Sequence, residues 1–129
     1  MLFILPFACK SLNAQSQRVF YGNHHEYCCK DPQGTFTDCE EPNYSYSYTI
    51  TITNTDIKIA RQFSDGERDD FRYKITSKKF CAPDNVWYFY VIDEDEDENI
   101  IGVSREGDFL FIFDLYEEGE CVTVFYMHE

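Results

Sequence analysis

Residues 44–53 read YSYSYTITIT. Tyr44, Tyr46, Tyr48, Ile50 and Ile52 alternate with Ser45, Ser47, Thr49, Thr51 and Thr53. A period of two puts the rings and isoleucines on one face and the hydroxyls on the other, which describes a half-buried β-strand. The β-branched Thr and Ile favour the same backbone. Beyond a turn at Asn54-Thr55-Asp56, Ile57, Ile59 and Phe63 carry the alternation on, with Lys58 and Gln62 outward. After a charged loop around Gly66, Phe71, Tyr73 and Ile75 alternate with Arg72, Lys74 and Thr76.

The second half of the chain is patterned differently. Residues 86–92 (VWYFYVI) and 108–114 (DFLFIFD) are apolar at successive positions, as in strands covered on both faces. Residues 101–103 and 121–127 (CVTVFYM) add two more strands. Short connections predict sequential antiparallel pairing. The fold class is therefore all-β, a single antiparallel meander of seven strands, or eight if residues 18–21 contribute. A meander of this size favours a small closed or partly closed barrel, because closure removes exposed edges. The barrel-like domain spans residues 44–129. Residues 15–43 form an irregular, disulfide-tied segment before it.

With 24 acidic against 11 basic side chains, the net charge is −13. That excludes a nucleic-acid binder, which needs Lys and Arg against phosphate, and docking on an anionic membrane. The acidity is uneven. Residues 57–81 carry a net +3, whereas residues 82–129 carry −13 with Arg105 as their one cation. Such a field steers cationic partners.

The first nine residues, MLFILPFAC, are apolar and too few to span a bilayer. They suit the core of a secretory leader covering residues 1–14, whose Asn13-Ala14-Gln15 ending resembles that of leaders in a large group of Gram-negative bacteria. The expected location is secreted, periplasmic or outer-surface. Export leaves Cys28, Cys29, Cys39, Cys81 and Cys121 to be oxidised. Locality pairs Cys28 or Cys29 with Cys39 across the turn at Pro32 and Gly34, and leaves Cys81 to pair with Cys121. A zinc reading of His24, His25, Cys28, Cys29 and Cys39 lacks a CxxC pair, so no metal is assigned.

In strand order and strand length, residues 44–127 resemble the small exported bacterial lipocalin-like (calycin-type) barrels. That resemblance implies a non-catalytic binding protein with a small apolar or aromatic ligand in the barrel mouth. The tyrosines and a neighbouring ring, Tyr46, Tyr48, Tyr73, Tyr88, Tyr90, Phe111 and Tyr126, are the candidate lining, since rings with a polar tip suit such ligands.

No hydrolytic, zinc-protease or phosphate-loop motif is present, so the chain reads as not an enzyme, with no cofactor. Asp93, Glu94, Asp95, Glu96, Asp97 and Glu98 form an acidic hairpin tip. Asp93, Asp95 and Asp97 match a calcium-loop spacing, but Glu98 stands where the turn wants Gly. With Glu117 and Glu118 these acids are the alternative functional surface, facing a cationic protein. In size, charge and cysteine use, the chain resembles the small acidic barrels that block lysozymes. This implies an inhibitor or immunity-type antagonist of a cationic hydrolase.

Overall fold

The computed structural model describes residues 17–114 and 120–129. The expected leader and the acids Glu117 and Glu118 lie outside the described residues. Ten strands form one sheet: β1 (Arg18–Gly22), β2 (His25–Lys30), β3 (Phe36–Cys39), β4 (Tyr46–Ile52), β5 (Asp56–Phe63), β6 (Arg68–Cys81), β7 (Val86–Ile92), β8 (Glu98–Ser104), β9 (Phe109–Phe113) and β10 (Cys121–Tyr126). Every pairing is antiparallel, in the order β1-β4-β5-β6-β7-β8-β9-β10-β2-β3. From β4 to β10 the order is the expected meander. Among the described residues no helix is long and apolar enough to cross a membrane.

Two expectations are corrected. Among the described residues the strands number ten, because three strands occupy much of the segment 15–43 that the sequence left irregular. The sheet is also a curled, open half-barrel rather than a sealed cylinder. Its return is made by β1 and β2, which are separated by only Asn23 and His24. β1 ladders with β4 and β2 with β10. Across the bend, isolated bridges join Tyr21 to His128 and His25 to Asn43. The seam is thus pinned at two points instead of by a full ladder.

The concave face is filled. Phe20, Ile50, Ile57, Ile59, Ile101 and Leu110 are at most 1% exposed, and Tyr48, Phe89, Val91, Val103, Phe125 and Met127 complete the cluster. Apart from Met127, which follows β10, each arises from the period-two pattern of its strand, so one side-chain set per strand points inward. The Tyr48 hydroxyl reaches the His24 and Tyr126 carbonyl oxygens, 2.5 Å from each. It has one proton to share between them and ties the bend to the end of β10. The backbone approaches closely there: a Cβ on Gly22 would sit 2.3 Å from the Tyr126 carbonyl oxygen.

The two doubly apolar strands are covered on one side only by the core. In β7, Phe89 and Val91 are core residues, so Tyr88 and Tyr90 face outward, Tyr90 with 39% of its surface exposed. In β9, Leu110 is core, and Phe109, Phe111 and Phe113 take the outer positions. These outer rings cover one another. Phe111 packs against Tyr88, Phe109 and Phe113. Its ring lies where Gly102 has no side chain; a Cβ there would come within 2.2 Å of the ring. Mutual aromatic packing on the outer face replaces the second layer that the sequence pattern suggested.

The bridges are Cys28–Cys39 and Cys29–Cys121. The first agrees with the local expectation. The second replaces the expected Cys81–Cys121 pair, because β2 lies beside β10 and puts Cys29 directly across from Cys121. Adjacent cysteines on a strand point to opposite faces, so Cys28 and Cys29 bind different partners. Cys81 keeps its thiol, 3.5 Å from an Asp84 carboxylate oxygen. Two disulfides fit an extracytoplasmic setting.

Candidate functional site

The filled interior leaves room at one end of the curl. There an open cleft of about 350 Å³ is lined by His25 and Tyr27 of β2, Tyr46 of β4, Ile59 and Arg61 of β5, Phe71 and Tyr73 of β6, and Ile112, Phe113, Asp114, Thr123 and Phe125 around β9 and β10. Most of the lining follows from strand parity, Phe113 excepted. In β5 Arg61 continues the inward row of Ile57 and Ile59, while β2 brings His25 and Tyr27, and β10 Thr123 and Phe125.

Arg61 sits in a nest of rings. Its guanidinium carbon lies 4.8 Å from the centre of Tyr46, 5.1 Å from Phe63 and 4.5 Å from Phe71. Such cation–π contacts are each worth about 0.5–1 kcal/mol at exposed sites. Its Nε and Nη2 donate to both Asp69 carboxylate oxygens at 2.8 and 2.6 Å. This bidentate pair lowers the Asp69 carboxyl below the usual range and raises the guanidinium further. The Tyr27 hydroxyl donates to Asp114 at 2.7 Å. Burial, and then the Asp93 and Glu94 charges, push the Tyr73 phenol up.

His25 is different. Its ring stacks on Tyr46 at 4.8 Å and lies tilted against Phe125 at 5.6 Å. Its Nδ1 is buried with no hydrogen-bond partner, the one such side-chain atom among the described residues. Burial, then the charge of Arg61, lowers its pKa and favours the neutral ring.

The seven candidate ligand residues divide between the two faces of the sheet. Tyr46 and Tyr73 line the cleft, and Tyr48 lies in the core beneath Tyr46. Tyr88, Tyr90, Phe111 and Tyr126 belong to the outer face. Phe111 and Tyr126 line a shallow groove of about 340 Å³ there with Phe36, Phe109, Val122 and Val124. The Tyr126 hydroxyl donates to Glu26 at 2.5 Å, and that bond with its carboxylate pushes the phenol up to about 12. Tyr88 donates to Asp84 at 3.0 Å; burial and this contact raise it to about 12.

Sequence reasoning missed His25 and Arg61 as lining residues. The signal for Arg61 was present, because it keeps the parity of Ile57 and Ile59. In the sequence His25 stands out only in the zinc reading. In the fold Cys28, Cys29 and Cys39 are bonded to sulfur, which removes the thiolates that a zinc reading needs.

The acidic residues make a separate patch. Asp93 to Asp97 form the β7–β8 turn, and Glu98 opens β8. The Asp93 carboxylate accepts the Asp95 and Asp97 N–H groups, each at 2.9 Å, while Glu96 takes φ 66°. This arrangement brings a carboxylate oxygen from each of Asp93, Asp95 and Asp97 within 4.8 Å of the others. The Asp93 carboxylate is thus committed to ordering the turn.

The fold and cleft define an antiparallel β-sheet protein with a small aromatic mouth. Compared with known proteins, the chain matches no family model, no curated sequence and no solved structure.

Proposed function

We propose that this chain is an exported, non-catalytic binding protein of lipocalin-like architecture that holds a small apolar or aromatic ligand at the open end of its half-barrel. The cleft beside Tyr46, Phe71, Tyr73 and Phe125 carries this reading. Its walls mix aromatic and aliphatic side chains with the polar groups of His25, Tyr27, Arg61, Asp114 and Thr123, and rings with convergent polar groups are the elements that small-molecule sites combine. Its volume stands at the low end of the roughly 300–1,000 Å³ common for such sites, which suits a one- or two-ring compound better than a long acyl chain. The two pinned points of the seam support a barrel-like scaffold held rigid behind the mouth. Two disulfides support export, and the bacterial extracytoplasmic assignment rests on residues 1–14 of the sequence.

The test is native mass spectrometry of freshly purified protein, joined to titration with a naphthalene-based fluorescent probe. The reading expects a co-purified small molecule or saturable micromolar probe binding. Absence of both would sink it.

A second reading follows from the three adjacent carboxylates at the β7–β8 tip: a docking point for a cationic protein. It expects association that weakens with salt and is lost when Asp95, Glu96 and Asp97 are neutralised together. Binding that ignores both changes would remove it.

A further inference from the structure

At the end of the curl away from the cleft, β6 runs on past its neighbour β5. We propose that residues 76–81 there accept an extended acidic peptide segment of another protein as an added antiparallel strand. This surface shares no residue with the cleft and stands apart from its reading as a ligand site.

β6 is 14 residues long, and each neighbour covers only part of it. The rung between Asp56 and Lys74 is the last that β5 provides, followed by one bond from the Ile75 N–H to the Thr55 carbonyl oxygen at 2.8 Å. Beyond a bulge between Ile75 and Ser77, residues 77–81 ladder with Tyr90 to Val86 of β7. Among the described residues no strand lies along their other edge. A row of backbone N–H and C=O groups without a strand partner is the template on which a further strand forms.

A notch of about 150 Å³ adjoins this edge at Lys78. Ile52, Thr53 and Asn54 bound it at the end of β4, and Trp87 of β7 lies within it. In strand addition the backbone ladder supplies affinity, and pockets for alternate side chains supply specificity. The notch has room for one such side chain.

Charge selects the partner. Lys78, opposite the core residue Phe89, faces the notch with its Nζ 5.6 Å from the centre of the Trp87 ring. Lys79, opposite Tyr88, faces the other side of the sheet. Neither lysine has an ion pair among the described residues. The acids nearby are engaged: Asp84 accepts from Tyr88 and Cys81, and Glu129 pairs with Arg18. Lysines on an edge oppose pairing with a second copy, which would set like charges across from one another. They favour a strand carrying two adjacent acids, because neighbouring side chains point to opposite faces and reach Lys78 and Lys79 separately. The acid on the inner face can lay its stem on Trp87 and place its carboxylate beside Lys78.

The experiment offers the intact protein three end-blocked hexapeptides: Thr-Val-Glu-Glu-Val-Thr, the same peptide N-methylated at its four central residues, and Thr-Val-Lys-Lys-Val-Thr. Binding is followed by the emission of Trp87, the one tryptophan of the chain, and by amide exchange at residues 76–81. The plain acidic peptide should shift the emission saturably and slow the exchange. The N-methylated and lysine peptides should each bind at least about tenfold more weakly, the scale of lost backbone hydrogen bonds or reversed charge pairs. Exchanging both lysines in Lys78→Glu/Lys79→Glu should turn the preference toward the lysine peptide. Equal binding of the N-methylated peptide, or exchange that does not slow, reveals attraction by charge alone and overturns strand addition. Equal binding of the lysine peptide overturns the acidic partner. Absence of binding by all three up to about 1 mM removes the surface altogether. If the double variant does not fold, the three wild-type affinities and the exchange decide alone.

Discussion

Removal of the Cys29–Cys121 bridge should destabilise the protein far more than removal of Cys28–Cys39. The two bonds differ in the chain they close, 92 residues against 11. Loop-closure entropy gives about 4.6 kcal/mol for the long loop and about 2.8 kcal/mol for the short one at 25 °C, a gap of about 2 kcal/mol. Placement acts in the same direction. Cys28–Cys39 reinforces β2 and β3, which are already joined by a short turn, whereas Cys29–Cys121 ties the N-terminal part of the sheet to its last strand. The comparison needs the double variants C28S/C39S and C29S/C121S, each in a Cys81→Ser background so that no thiol is left to exchange. Urea unfolding should put the long-loop variant lower by about 2 kcal/mol, and thermal unfolding by roughly 5–10 °C. If C28S/C39S proves equally or more destabilising, then the loop-closure account and the importance assigned here to the β2–β10 tie are both wrong.

Two further outcomes are expected. Tyr48→Phe removes the hydroxyl shared by the His24 and Tyr126 carbonyls and should cost about 1–3 kcal/mol in urea unfolding; amide exchange should rise first at Tyr21 and His128, which bridge the same bend, and an unchanged midpoint would refute the pin. His25 has a folded pKa below its ordinary 6.5, from burial first and then from Arg61, with His24 adding to it. The unfolded chain then binds the proton first, so stability declines as pH falls through about 6.5. His25→Asn should flatten that part of the pH–stability curve, and a wild-type curve already flat between pH 7.5 and 5.5 would contradict it.

The body of the fold was legible where side-chain chemistry repeats with the backbone. Residues 46–52 alternate ring or isoleucine with hydroxyl, and the strand is there. Val86–Ile92 was bounded correctly because Asn85 and Asp93 stop the apolar run at both ends. β2 was hidden because its inward positions are His25, Tyr27 and Cys29, none of them the aliphatic residue that marks a core strand. β3, with four residues and an exposed face, offers almost no pattern. Strand order beyond the meander depends on β1 and β2 turning from one neighbour to another, a long-range choice that no local period records. That same choice moved Cys121 to Cys29. In the cleft, Tyr46 and Tyr73 were accessible from alternation alone. The split of the seven candidates between two faces was not recognised because both faces of β7 and β9 are aromatic.

The bent strand pair has a consequence for how the chain is made. Residues 18–30 emerge before either of their partners, β4 and, some ninety residues after β2, β10. Until residue 126 exists, β2 has only the short β3 to pair with, and the hydrophobic interior is missing Phe125 and Met127. Contacts of such sequence separation form slowly. The β2–β3 pair therefore waits, unfinished, for β10. A polypeptide whose β2 and β9 both wait for β10 keeps its sheet unclosed until nearly all of it has been produced.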